Sequence, residues 1–398
     1  DDEGGEHRGM TAQGTALQAL SADEVRQEVF HVTTTDGSST TVTITVTGKP
    51  LAVYAHAGNA LEAGGIANAT AGVDAVGTAV SGGVLDNALG VTAGSTSVAR
   101  VSSVSFGASV GTVGSVLAGR YGSLTLNADG SYHYVVDNTA AEVEQLARDQ
   151  VVTDQFAFIV TRDGGRSVSS TLDIRVTGTN DTPVVATSGL TGSITEALVP
   201  VGILSDSGSV TFSDVDLADG HTVLPSITAS SGALGSLTAS VTTAGDAIGW
   251  TYNVAAAAVE YLAAGEQKVE TFTLTLDDGQ GGTVARTVTV TITGTNDTPV
   301  ALADSGAIRE GDTLSRAAGQ GVLANDSDVD ASDTLRVGAV AAGAASPSAD
   351  GVGRALTGIY GTLTLAGDGS YVYRADTAAG QALHEGESAT EVFSYSVI

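Results

Sequence analysis

Cysteine is absent from the 398 residues, lysine and arginine together number 16 against 45 aspartates and glutamates, and aromatic residues make up only 5 %. Each shortage removes a class of function. Without thiols there is no disulfide, no Cys-ligated zinc and no cysteine nucleophile, and the absence does not by itself place the chain in the cytosol. A formal charge of −29 opposes nucleic-acid binding, which needs a basic face against phosphate. It opposes close approach to an anionic bilayer for the same reason. No run of about 18 apolar residues occurs, so no membrane span is expected. The opening DDEGGEHRGM lacks the basic and apolar regions of a signal peptide, and any export signal is expected outside this segment. Hydrophobic residues still reach 42 %, so the chain folds around a core made mainly of Val, Leu, Ile and Ala.

Catalytic patterns are missing too, and no enzyme is expected. The six histidines (His7, His31, His56, His133, His221, His384) include no pair at metal spacing and no H-E-x-x-H. No G-x-S-x-G elbow occurs. Trp250, the single tryptophan, replaces a tyrosine of a recurring strand and reads as core packing. Lys49 and Lys268 are the two lysines, too few for a Lys–Asn isopeptide crosslink in every unit.

What the chain has is repetition. VTGTNDTPV at Val176–Val184 returns as ITGTNDTPV at Ile292–Val300, with Gly178 and Gly294 116 residues apart. YGSLTLNADGSYHY from Tyr121 returns as YGTLTLAGDGSYVY from Tyr360, 239 residues later, with a degenerate copy from Leu234. A third phrase pairs two strands across Asp36-Gly37, Asp163-Gly164 and Asp278-Gly279, where a tight turn needs positive φ. TVTITVTG and TVTVTITG alternate with period two, as half-buried strands do. Helical periodicity is confined to Thr139–Gln150 and to AAAAVEYLAAGE. The fold class is therefore all-β, a tandem series of β-sandwiches. The order of the phrases divides it into 1–49 (the last part of one repeat), complete repeats at 50–181 and 182–297, and 298–398, which stops before its last strand. Both ends cut through a repeat, so the segment is expected to belong to something longer or to be completed by a neighbouring chain.

Carboxylates recur with the phrases. Asn180-Asp181 is followed by Glu196 and by Asp214, Asp216 and Asp219; Asn296-Asp297 is followed by Glu310 and by Asp326, Asp328, Asp330 and Asp333. Hard cations such as Ca²⁺ take six to eight oxygens from such groups. An Asn-Asp linker facing a Glu and an Asp-x-Asp on the next unit would supply them, and so many carboxylates repel one another without a cation between them. The remaining junction acts as a control: Lys49-Pro50 replaces Asn-Asp, and Gly90 and Thr92 stand where Asp328 and Asp330 do, although Glu62 survives. The isolated Asp-Gly pairs read as turns alone. NDSDVD is not an EF-hand, since Ala331 and Val337 occupy its Gly and Glu positions.

The phrases YGTLTLAGDGSYVY, GVLANDSDVDASDTL and VTGTNDTP resemble VCBS repeats, cadherin-like modules of very large secreted bacterial proteins such as RTX-type adhesins and biofilm-matrix proteins exported by type I secretion. The resemblance covers nearly the whole chain. It implies Ig-like or cadherin-like sandwiches in tandem and calcium near the junctions, with Asn180, Asp181, Glu196, Asp214, Asp216, Asn296, Asp297, Glu310, Asp328 and Asp330 as ligands. It also implies an extracellular stalk at a bacterial surface or in a biofilm matrix, whose partners are adjacent repeats of the same or a neighbouring chain. Two other readings stand beside it: a filament built by strand complementation between split repeats, and a module binding a surface or matrix glycan.

Overall fold

The computed structural model describes residues 20, 24–48, 50–64, 71–79, 81–88, 99–163 and 165–398. Lys49, Gly90, Thr92, Gly164 and His7 lie outside the described residues. The chain is nearly all β, with one four-residue α-helix, Ala141–Glu144, among the described residues. No helix among them is long and apolar enough to cross a membrane. Two compact units emerge: 1–184 with 213–222 and 276–284, and 185–212 with 223–275 and 285–398.

In the first unit, Val25–Thr33 and Ser39–Thr47 form an antiparallel hairpin closed through Gly37 at φ 84. This two-stranded sheet leaves Val25, Val29, Val32, Val42 and Ile44 exposed. The residues after it build two sheets. One has five strands in the order His56–Leu61, Ser167–Thr177, Val151–Arg162, Ala99–Phe106, Ser109–Gly111. The other has four: Ala75–Gly77, Tyr132–Val136, Gly122–Leu126, Val116–Ala118. Strict alternation turns Phe156, Phe158 and Val160 inward from Val151–Arg162, where they meet Tyr134, Leu124, Leu126, Leu172 and Ile174 in one core. One pairing in the five-stranded sheet is parallel. His56–Leu61 runs alongside Leu172–Thr177 in the same direction, so the first strand of the sandwich ends beside the end of its last.

The second unit repeats the scheme. Ile203–Ser213, Ala247–Ala255 and Ser236–Val241 are antiparallel neighbours, and Thr191–Thr195 is parallel to Thr289–Thr293. Trp250 is buried in its strand, donating Nε1–H to Gly189 O at 2.9 Å. Farther on, Thr313–Arg316, Tyr371–Arg374, Thr362–Leu365 and Ala355–Thr357 form one sheet, and Val337–Ala342 pairs with Phe393–Val397. Beside Phe393–Val397 lies an open groove of about 590 Å³ lined by Leu302, Val322, Val340, Tyr371 and Tyr395 among others.

The same alternation buries Asp154 and Glu270 on their strands, Glu391 stands half-buried just before Phe393–Val397, and the recurring Gly turn and Tyr strand explain how each acid is tolerated. Asp154 accepts the backbone N–H groups of Arg120 and Tyr121 and the Tyr134 hydroxyl at 2.7 Å. Glu270 accepts Leu234 N, Gly235 N and Tyr252 Oη at 2.6, 3.2 and 2.8 Å. Glu391 accepts Ile359 N, Tyr360 N and Tyr373 Oη. A buried carboxylate is stable when its oxygens are met by donors. Each latch therefore ties the acid, on or just before a strand of one sheet, to the Tyr strand and its turn in the other. Burial, and then the bonded carboxylate, push all three phenols above their ordinary range.

Glu270→Ala strips the acceptor from three donors, the buried Tyr252 hydroxyl and two half-buried N–H groups. It is expected to cost about 3 kcal/mol, against about 1 kcal/mol for Tyr252→Phe, which removes one bond. Urea unfolding of the two variants checks the order.

Candidate cation clusters

Among the described residues two clusters of acids form, one in each unit, and the parallel strand pair is the reason. In the first unit, Glu62 comes directly after the parallel strand and donates its N–H to Thr177 O at 2.9 Å. The linker then leaves the last strand. Gly178 lies so close to the turn at 146–150 that a Cβ would run into Leu146 O, which accounts for the recurring glycine. That turn comes after the short helix carrying Glu144. Thr179 N donates to Glu62 Oε2 at 3.1 Å, and Asp181 N to Asp216 Oδ2 at 2.7 Å. Asp216 N in turn donates to Asp214 Oδ1 at 3.1 Å.

On the other side, Asp278 is 1 % exposed. It accepts Gln280 N and Gly282 N on Oδ1 and the Asn180 amide on Oδ2. Asp214, Asp219 and Asp278 bring oxygens within 4.8 Å of one another. His221 Nε2 lies 2.8 Å from Asp214 Oδ2.

The second unit reproduces the first half of this arrangement. Glu196 N donates to Thr293 O, and Gly294 packs under Leu262 O as Gly178 does under Leu146 O. Thr295 N donates to Glu196 Oε2 at 2.8 Å, and Asp297 N to Asp330 Oδ2 at 2.9 Å. Glu196, Glu260 and Asp297 bring oxygens within 4.8 Å of one another.

One feature unites the clusters: a linker N–H satisfies one oxygen of Glu62, Asp216, Glu196 and Asp330, while other carboxylate oxygens stay buried without a donor. Glu62 Oε1, Asp216 Oδ1, Asp219 Oδ2, Glu196 Oε1, Glu260 Oε1, Asp297 Oδ2 and Asp330 Oδ1 are buried without a hydrogen-bond partner. Glu62 and Asp216 are 0 % exposed, and Asp330 2 %. Buried acceptors that face one another have nothing to accept from, which is the condition a hard cation relieves. The donor set is all oxygen and fits such an ion.

Several sequence expectations change. Glu196 does not face Asn180 and Asp181. The parallel pairing carries it to the linker after its own sandwich, so it joins Asp297 and Asp330. Glu62 takes the place beside Thr179 and Asp181 instead. Glu310, next in that series, is exposed and joins neither cluster. Asp326 is not at the Asp297 cluster: its carboxylate accepts Leu302 N at 2.7 Å and Tyr395 Oη at 3.1 Å. Asn296 is exposed, and its amide donates to Asp297 O. Asp333 is exposed, and Asp328 accepts Asp330 N at 3.2 Å. Glu144, Glu260 and Asp278 join the clusters without having been expected there, and His221 borders the first through its hydrogen bond with Asp214. Glu144 and Glu260 carry a signal, since a Val-Glu pair recurs 116 residues apart in the two short helical stretches.

Similarity to known proteins is narrower than the repeats. Residues 296–398 match the family model of the bacterial cadherin-like domain. That match is confined to about the last quarter of the chain. No curated protein matches. Among solved structures, the chain is similar to the protocadherin gamma B2 extracellular cadherin domains 1–5, at 12 % identity over 93 % of this chain and 70 % of that one, with a TM-score of 0.45. Mouse PcdhgC3 EC1–3 is 18 % identical over 65 % and 67 %, at 0.33. The human desmocollin-1 ectodomain is 13 % identical over 78 % and 56 %, at 0.34, so this chain spans little more than half of it. Likenesses this loose carry nothing further about this chain.

Burial above all raises Glu62 from 4.5 to about 8. The Thr179 N–H opposes it, and the charges of Asp181, Glu144 and Asp216 add to it. Burial likewise raises Asp216 from 3.8 to about 7, opposed by the Asp181 N–H and reinforced by Asp181, Asp219 and Asp214. Glu196, Glu260 and Asp297 also rise, from burial first and neighbouring carboxylates second. Folded pKa values above the unfolded ones mean that the native state binds more protons. Its stability therefore falls as pH rises, from about 4 to about 8 for Glu62 and Asp216. Metal-stripped protein is expected to melt at higher temperature at pH 5 than at pH 8, and saturating Ca²⁺ to abolish that slope; calorimetry across the window checks both.

Proposed function

We propose that the chain is an extender segment of a secreted, cell-surface or matrix adhesin of bacteria, in which Ca²⁺ at the acidic clusters stiffens the linkers between successive β-sandwiches. The observation that carries this reading is the convergence of buried carboxylate oxygens without donors. Each cluster takes a Glu directly after a first strand (Glu62, Glu196), a Glu from a short helix or the matching turn (Glu144, Glu260), an Asp from the linker (Asp181, Asp297) and an Asp-x-Asp beyond it (Asp216, Asp330). A divalent ion bound there supplies positive charge to groups that otherwise repel. It also links the linker backbone to elements on both sides of it. The family match of residues 296–398 and the β-sandwich repeats support the stalk role and the extracellular setting.

A ligand that binds the native state alone stabilises it by RT ln(1 + [L]/Kd), about 2.7 kcal/mol at a hundredfold excess. Calcium is expected to raise the melting temperature of the metal-stripped chain. Asp330→Asn is expected to remove the share of that rise due to the second cluster while the calcium-free melt changes little. A melt indifferent to calcium and EGTA would sink the reading.

A second reading, strand exchange between copies, is favoured by the groove beside Phe393–Val397 and the exposed apolar residues of the Val25–Thr47 hairpin. Assembly that grows with concentration and is blocked by a peptide spanning Ser39–Thr47 would carry it. A sedimentation coefficient independent of concentration removes it.

A further inference from the structure

The two linkers differ in what spans them besides acids. In the second unit, Ala331 N donates to Tyr261 O at 3.1 Å and Ser332 Oγ to Glu266 Oε2 at 3.2 Å. These bonds join the turn at 261–266, on one side of the linker, to the loop at 330–333 on the other, without passing through the linker itself. Glu266 is held by its own turn: its N–H donates to Ala263 O, its carbonyl accepts Gly294 N, and Oε2 accepts Ala263 N at 3.2 Å. Ser332 therefore meets a fixed acceptor. At the first linker the corresponding residues are Gln145, Gln150, Leu217 and Ala218. Leu217 is 76 % exposed, Ala218 has no hydroxyl, and among the described residues no hydrogen bond joins 217–218 to 145–150.

We propose that Tyr261, Glu266, Ala331 and Ser332 form a clamp, made of protein alone, that holds the 294–299 linker closed before any cation arrives, so that the second cluster fills at lower Ca²⁺ than the first. The affinity order rests on the reading of the clusters as calcium sites; the clamp does not. Chain adjacency connects the two. Tyr261 follows Glu260, and Ala331 follows Asp330. One backbone bond thus draws together two acids of the cluster that come from opposite sides of the linker. Asp330 is pinned twice, by Asp297 N on its side chain and by Tyr261 O on the peptide after it. Asp216 has the first kind of anchor, from Asp181 N, and lacks the second.

The energetic role follows from repulsion. Without an ion the acids on the two sides of a linker push apart, which favours an open, incomplete site. A site assembled about one tenth of the time binds about tenfold more weakly than the same site held ready. A bond between neutral backbone groups is not lost with the ion and is not screened by salt. It therefore opposes the repulsion in the state where opposition is needed, and the entropy of closing the linker is met before binding.

The test has two arms on the metal-stripped full chain. Hydrogen exchange in EGTA is expected to show the Ala331 amide exchanging about tenfold more slowly than that of Leu217. Calorimetric titration with Ca²⁺ is expected to show two steps about tenfold apart, the tighter lost in Asp330→Asn and the weaker in Asp216→Asn. Ala331→Pro deletes the donor and Ala331→Gly keeps it, so the first is expected to merge the steps and the second to leave them. Ser332→Ala removes the side-chain bond alone and is expected to bring the steps part of the way together; near-UV circular dichroism verifies that the variants fold. An Ala331 amide that exchanges as fast as Leu217 in EGTA overturns the clamp. Coincident steps, or a tight step unmoved by both Ala331→Pro and Ser332→Ala, overturn the affinity order and leave the calcium reading intact. A protected Ala331 amide in a chain that ignores calcium sinks the calcium reading and supports the clamp.

Discussion

Carboxylates taken out of water and left facing one another are the constraint on which this structure turns. At each cluster a linker N–H meets one oxygen of an acid while the acid's other oxygen is buried without a hydrogen-bond partner. The remaining oxygens converge, and their charges raise one another's proton affinity. An acid inside a sandwich behaves differently. Asp154, Glu270 and Glu391 each meet two N–H groups and a phenol. The residue type is the same and the outcome opposite, because donors decide it.

Much of the fold is legible in the chain itself. Period-two alternation marks strands where strands lie, and the glycines of Asp36-Gly37, Asp129-Gly130, Asp278-Gly279 and Asp368-Gly369 sit at positive φ. Asp181, Asp216, Asp297 and Asp330 stand out by repetition, and the structure brings them together in pairs. The partner of Glu196 is not legible in the same way. Repetition tells which residues correspond, not which end of a sandwich each occupies. That is set by the parallel pairing of first and last strands, a long-range fact with no local signature.

Asp278 has the sequence context of a turn former, and it does accept the N–H groups of its own turn. Its other oxygen shows the second role. The inward series Glu270, Phe272, Leu274, Leu276 continues to Asp278, so parity alone marks it as facing inside. In the preceding repeat the same parity ends at Arg162, also buried, a reversal of charge 116 residues away that makes the two hairpin ends unlike.

The parallel first strand has a genetic corollary. Because Glu62 and Glu196 serve the linker downstream of their own sandwiches, whereas Asp216 and Asp330 serve the linker upstream of theirs, each duplicated stretch of coding sequence carries complementary halves of two sites. Unequal crossing-over that deletes the 182–297 period would set Asp181 beside Asp330, the partner type it has now in Asp216. Such a deletion shortens the product without stranding that charge.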